Sequence, residues 1–334
     1  MAHAISALSW LYQQDDIQIT SKDLTWIQNV FPGWVDVFSK IEINGTSVSG
    51  WGADQDPTTA LTKSIAECLE RYVLHKNKNF LTSNGMAAHT GPEKARLNAG
   101  FELLERDLFL CHFYTQTPLA PFAEQNLNAY PWISSAKKFA EDIRFRMTFY
   151  RLGPSGAVCT LDCMQSNEPL GYVISSAYKS TVEESLRSSF IESARRAFLL
   201  NDKDKINSSP SITALALADF LQIPQPTFGD HGRLALDPNY ASQYLNPLFR
   251  NLDSGPQMDV VEIHFSDLNI EMIPWCSPHS SPCPFYFARA TSTKVQNLFL
   301  GQPTNNQLNQ ERLMQFLNLK NPRASLILAP HPLD

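Results

Sequence analysis

Three stretches of this chain repeat apolar residues at the spacing of a buried helical face, and the block between the second and third alternates with period two. In the first, Leu61, Ile65, Cys68, Leu69 and Tyr72 form one stripe, with Asp56 placed to cap it and Pro57 at the first helical position. The second places Leu97, Phe101, Leu104 and Leu108 inward, behind a capping box of Thr90 and Glu93. The third does so with Val182, Leu186, Phe190, Ala194 and Phe198, behind Thr181 and Glu184. VDVFSKIEI predicts a strand from Val35 to Ile43, closed by an Asn44-Gly45 turn. RFRMTFYRL, GAVCTLDCM and GYVISSAY predict a meander, and DVVEIHF and PFYFARAT two later strands. A short helix is expected near ITALALADFL, and the polar NDKDKINSSPS run is expected to be a surface loop. Residues 1–35 read as a loosely helical extension ahead of a main domain over 36–334. Segregated helix and strand runs give an α+β (mixed α/β) fold with an antiparallel sheet.

Composition narrows the function classes. With 334 residues, 43% of them hydrophobic, the chain can bury a core, and no apolar run is long enough to span a membrane. A net charge of −6 argues against nucleic acid as a partner. The amino terminus shows no secretory signal, so a cytoplasmic chain with six reduced cysteines is expected. Cys276, His279 and Cys283 offer a zinc alternative to buried or loop thiols, with a spacing that fits no standard ligand pattern.

One short pattern occurs twice. Glu67-x-x-Glu70-Arg71 and Glu102-x-x-Glu105-Arg106 each lie well inside a predicted helix, where positions i and i+3 project from nearly the same side. A single copy reads as a solvated face with local ion pairs. Two copies adjoining apolar stripes read otherwise, because like charges at 4 Å repel by about 4 kcal/mol at an effective dielectric near 20. A hard divalent cation would offset that, and Mg²⁺ commonly links one or two carboxylates to substrate phosphates. Loops of small residues, Ser49 to Ala53 and Ser83 to Ala88, are expected to bring backbone amides toward the two helix starts, where anions bind. Walker, dinucleotide and Gly-x-Ser-x-Gly motifs are absent.

At these residues the chain resembles the YcaO family. GWGADQDPTTALTKSIAECLERY is similar to that family's glycine loop and first acidic helix, SNGMAAHTGPEKARLNAGFELLERD to its second, and SLRSSFIESARRAF, more weakly, to its later glutamate-and-arginine helix. The resemblance implies a single YcaO-type catalytic domain that binds ATP through Mg²⁺. Carried over by position, Glu67, Glu70, Glu102 and Glu105 would be metal ligands and catalytic. Ser83, Asn84 and Thr90 would lie in the nucleotide loop, Arg106 would contact phosphate, and Glu192 with Arg195 or Arg196 would complete the cofactor site. His89-Thr90 stands where the family loop usually has Gly-Asn, and Ala197 where it has arginine. The chain ends Pro330-His331-Pro332-Leu333-Asp334 and lacks the last proline of the Pro-x-Pro-x-Pro tail common in ring-forming members.

The implied activity is that of a cyclodehydratase subunit of a microcin-type synthetase, phosphorylating a backbone amide oxygen of a ribosomally made precursor peptide so that Cys, Ser or Thr closes to a thiazoline or oxazoline. A leader-binding partner protein and a flavin-dependent dehydrogenase would then be separate polypeptides. Thioamide or amidine formation by the same ATP chemistry, and a non-catalytic scaffold role, are the alternatives.

Overall fold

A computed structural model describes residues 2–14, 17–77, 80, 82–165, 168–201, 214–249, 261–275, 283–317 and 326–333. In chain order the first elements are α1 (Ala2–Tyr12), β1 (Ile17–Leu24), β2 (Val35–Ile43), β3 (Thr46–Asp54), α2 (Pro57–Lys76), β4 (Met86–His89) and α3 (Pro92–Thr115). Next come α4 (Glu124–Leu127), α5 (Trp132–Asp142), β5 (Phe145–Leu152), β6 (Gly156–Gln165), β7 (Glu168–Ala177) and α6 (Val182–Asn201). The chain continues with α7 (Leu217–Phe220), α8 (Phe228–Ala235), α9 (Pro238–Tyr240), β8 (Asn269–Ile273), β9 (Tyr286–Thr291) and α10 (Gln310–Phe316). They sort into two compact units, residues 1–103 with 264–293, and residues 104–263 with 294–334; α3 begins in the first and ends in the second.

The first unit carries two three-stranded antiparallel sheets, β1-β2-β3 and β4-β9-β8. Asn44 and Gly45, both at positive φ, close the β2–β3 hairpin as the dipeptide predicts. Asp56 caps α2 by accepting from the amides of Thr58 and Thr59, and Ile65, Cys68, Leu69 and Tyr72 bury their stripe with Trp10, Leu11, Ile41 and Phe287. Ser49 to Ala53 is not a loop: it lies within β3. Gly50 and Gly52 are there for close approach, since a Cβ on Gly52 would sit 2.1 Å from the Ala60 carbonyl oxygen and one on Gly50 2.3 Å from that of Ser64.

The second unit is built on the predicted meander, β5-β6-β7, with α6 held across it by a Ser193 hydroxyl bond to the Cys159 carbonyl. The Thr181–Glu184 box closes reciprocally at 3.2 Å in each direction. The core joins Leu108, Phe109, Phe113 and Tyr114 of α3 to Tyr150, Val158, Ile174, Tyr240 and the buried tail residues Ala329 and Leu333. His231 and His331 stack there, with rings 4.2 Å apart. His231 Nδ1 donates to the His331 carbonyl (2.6 Å) while Nε2 accepts from the Gly301 amide (2.9 Å), which fixes a neutral tautomer.

Besides the Ser49 to Ala53 loop, four expectations are corrected. The first 35 residues are not uniformly helical: Ile17 and Ile19 set an alternation that makes β1 an edge strand on β2. Val261 to His264 is irregular and leads into a 3₁₀ turn at Phe265–Asp267, closed by an Asp267 bond to the His264 amide; the strand is displaced to β8, whose alternation matches β9. Leu97 is 42% exposed, because Ala95, Ala99 and Leu103 form the buried stripe in the first half of α3. Gly91 rather than Thr90 takes the capping place of α3, its carbonyl accepting the Ala95 amide at 3.0 Å. The NDKDKINSSPS loop lies, apart from its first residue, outside the described residues, and so do Cys276 and His279. No helix among the described residues is long and apolar enough to cross a membrane.

Burial pushes His231 from the ordinary histidine value near 6.5 down to about 4. Between those values the unfolded chain binds a proton that the folded His231 refuses, so its contribution is complete above pH 6.5 and falls as pH drops toward 4. At pH 5 the loss from this residue is about 2 kcal/mol. His231→Asn keeps a donor for the His331 carbonyl without the titration. Its denaturation free energy is expected to change less than the wild-type value between pH 7 and pH 5; equal changes would remove His231 as the cause. Gly52→Ala, which forces β3 off α2, is expected to cost about 2 kcal/mol or more by denaturant midpoint.

Candidate functional site

In the first unit, Glu67 and Glu70 sit on the β3 side and the β4 side of α2. Glu67 Oε2 accepts the Trp51 amide of β3 at 2.6 Å, and Oε1 pairs with Arg71 one helical turn later at 2.6 Å. Arg71 Nη1 also donates to the Ser49 carbonyl at 2.8 Å. Glu70 is held well above the ordinary carboxylate value, first by burial and then by the charges of Glu102 and Glu67, with Arg71 and the Ala88 backbone acting the other way. Glu67 and Glu102 thus both bear on Glu70 electrostatically.

The turn before β4 carries Ser83 and Asn84. Ser83 accepts the Met86 amide (2.8 Å), and Gly85 at φ +72° packs where a Cβ would meet the Ala290 carbonyl oxygen at 2.6 Å. Asn84 is 6% exposed, and its side-chain oxygen accepts no hydrogen bond among the described residues. Such a buried acceptor is costly unless a ligand or water donates to it. Thr90 follows β4; beside it the Gly91 amide donates to His89 Nδ1 at 2.9 Å, so that amide at the start of α3 is already engaged. Arg289, on β9 opposite Met86, lays its guanidinium 4.0 Å from the Phe80 ring centroid. No sequence spacing marked Arg289; the β4–β9 pairing alone brings it beside the turn.

In the second unit, Glu105 is buried and accepts from the Ser176 hydroxyl at 2.8 Å, with Arg106 Nη1 3.6 Å away. Burial raises its carboxyl, Arg106 opposes, Glu192 raises it further, and Lys179 and Ser176 lower it. Glu105, Arg106 and Glu192 are thus brought together. Arg196 Nη1 donates to the Ile174 carbonyl of β7 at 3.0 Å. Arg195, its neighbour on α6, is partly buried. Ser176 and Lys179 went unmarked in the sequence, although the alternation of GYVISSAY places Ser176 on the Tyr172 and Ile174 face.

Asp107, next to Arg106, makes a fully buried pair with Arg312, at 2.6 Å to Nη2 and 3.0 Å to Nε. The Gln296 amide completes the carboxylate at 2.7 Å, and Arg312 Nη1 donates to the Val261 carbonyl. This anchor fixes the stretch of α3 that presents Glu105 and Arg106.

No three His, Cys, Asp or Glu side chains among the described residues already form a metal cluster. The donor set still suits Mg²⁺, which takes hard oxygens, needs only one or two carboxylates and fills its remaining positions with phosphate and water. Softer metals that prefer sulfur and imidazole are not served by it.

A family model described as "YcaO cyclodehydratase, ATP-ad Mg2+-binding" matches residues 70–242, more than half of the chain. No curated protein sequence matches significantly. Among solved structures, a heterocyclase in complex with substrate and cofactor is similar over 99% of this chain, at 11% identity and a TM-score of 0.59. The chain spans 57% of that heterocyclase's length. YcaO from Methanopyrus kandleri, bound with AMPPCP and Mg²⁺, is similar over 88% of this chain and 91% of its own, at 9% identity and a TM-score of 0.55. A chain of the E. coli microcin synthetase McbBCD complex is similar over 90% of this chain and 95% of its own, at 10% identity and a TM-score of 0.54. At such identities these likenesses concern the fold.

Arg312→Met would leave the Asp107 charge buried without its partner and is expected to cost about 3–5 kcal/mol by chemical denaturation. Adding Asp107→Asn, which still accepts the Gln296 amide, should recover more than half of that loss. A double variant no more stable than the single one would show that the charge is not what matters.

Proposed function

The chain belongs to the YcaO family, and we propose on that premise that it is an ATP-dependent peptide cyclodehydratase. The carrying observation is the Glu70 environment: burial, Glu102 of α3 and Glu67 of α2 together hold its carboxyl well above the ordinary value, and Arg71 only partly offsets them. A divalent cation with a polyphosphate is the ligand such a group fits.

In this reading Glu67, Glu70, Glu102 and Glu105 hold Mg²⁺, which when bound neutralises phosphate charge. Asn84 donates and accepts at the nucleotide from its buried turn, with Ser83 and Thr90 beside it. Arg106 places a guanidinium on the transferring phosphoryl group, and Asp107 with Arg312 keeps it oriented. Glu192 and either Arg195 or Arg196 complete the cofactor contacts. Such work is positioning and charge stabilisation, with little covalent chemistry asked of the protein.

The substrate is a backbone amide of a precursor peptide. Its oxygen takes the γ-phosphoryl group and ADP leaves; a Cys, Ser or Thr side chain then adds to the carbonyl carbon. Loss of the side-chain and amide protons and departure of phosphate with the former amide oxygen give the azoline, a net loss of one water. A leader-binding protein and a flavin-dependent dehydrogenase acting on the azoline are the proposed partners, in the cytoplasm, and residues 36–334 are the proposed catalytic domain after the 1–35 extension.

With partner proteins, ATP and Mg²⁺, a Gly-, Ser- and Cys-rich precursor peptide should lose the mass of one water per modified residue by mass spectrometry. Exchange of oxygen for sulfur in the product mass would assign thioamide chemistry instead, and an unchanged mass would oppose both. Glu102→Gln should lower ATP consumption by about 100-fold or more. Undiminished ATP consumption and modification would overturn the metal assignment.

A further inference from the structure

The two copies of the acidic pattern each end in an arginine, and the first, Arg71, has no role in the proposed function. Its guanidinium spans α2 and β3, with Nη2 on Glu67 Oε1 at 2.6 Å and Nη1 on the Ser49 carbonyl at 2.8 Å. The other Glu67 oxygen is held by the Trp51 amide, so both oxygens are engaged before any metal arrives. Arg71 is also the side-chain charge that lowers Glu70 against the combined push of burial, Glu102 and Glu67.

We propose that Arg71 is the resident counter-cation of the α2 carboxylates: it orients Glu67 in the metal-free protein and competes with the divalent cation for that carboxylate. The inference rests on the reading that Glu67 and Glu70 serve Mg²⁺. Electrostatically, one fixed positive charge replaces part of what the metal supplies, so the cluster can fold without it. Arg71 is a positioning residue, acting through Glu67 rather than on substrate. Side-chain exposures of 46% for Arg71 and 32% for Glu67 leave the pair open to water, so the bond is weak enough to be exchanged.

Mg²⁺ titrations by calorimetry on the full chain, at a fixed concentration of a non-hydrolysable ATP analogue, test this without turnover. Arg71→Gln is expected to raise the apparent Mg²⁺ affinity about two- to fivefold, the range an exposed pair allows, while Arg71→Lys, which keeps the charge, stays near wild type. Unchanged or weaker Mg²⁺ binding by Arg71→Gln, with Glu67→Gln clearly weakened, would overturn the counter-cation role and leave the metal assignment standing. Wild-type protein that takes up no Mg²⁺, or Glu67→Gln that binds it as well as wild type, would overturn both.

Discussion

Like charges held close together on a packed helix are the constraint around which this molecule is arranged. The residues that flank the pattern, Cys68, Leu69 and Leu103, are buried, so the carboxylates between them have little freedom to move apart. The fold therefore has to meet the repulsion locally. It does so with Arg71 and with backbone donors at Trp51 and Ala88, on strands that are edges of their two sheets. An edge strand ordinarily presents unpaired amides, and carboxylates on the adjoining helix give those amides acceptors.

The second unit meets the same problem with different residues. Glu105 is more deeply buried than its counterparts and is raised by Glu192, while Arg106, Lys179 and the Ser176 hydroxyl act against that rise. Because the Asp107–Arg312 pair next to it is buried and fully hydrogen-bonded, α3 has little freedom to rotate Glu105 away from Ser176. A buried ion pair is a weak source of stability, but it selects one orientation over others when removal of either partner leaves a bare charge.

Much of this was legible from sequence because it is periodic. The stripes of α2 and α6, the strand Val35 to Ile43, its Asn44-Gly45 turn and the meander all follow from spacing and local turn chemistry. What escaped is non-local. Whether Gly50-Trp51-Gly52 is a phosphate loop or a strand pressed against a helix depends on what it packs against, and the glycines look the same in either case. Ser176, Lys179, Arg289 and Arg312 act through partners far away along the chain, with no motif to mark them. Leu97 failed for the opposite reason: a perfect heptad position is still exposed if the neighbouring alanines are the ones that face the core.

Ser49 to Ala53 are strand, and their amides have partners of their own. If backbone amides of β3 were the anion site, their donors would have to be unoccupied, yet the Trp51 amide already serves Glu67. The turn at Ser83 to Gly85 differs, since Asn84 keeps a buried acceptor unpaired among the described residues. A bare acceptor calls for a donor, a ligand hydroxyl or amine or an ordered water, so among these two segments the turn before β4, not β3, is where a polar group is left over for a ligand. Under the proposed function the net charge of −6 is no objection: the carboxylates would supply metal ligands, and the metal, with Arg106, would supply the positive charge that phosphate needs.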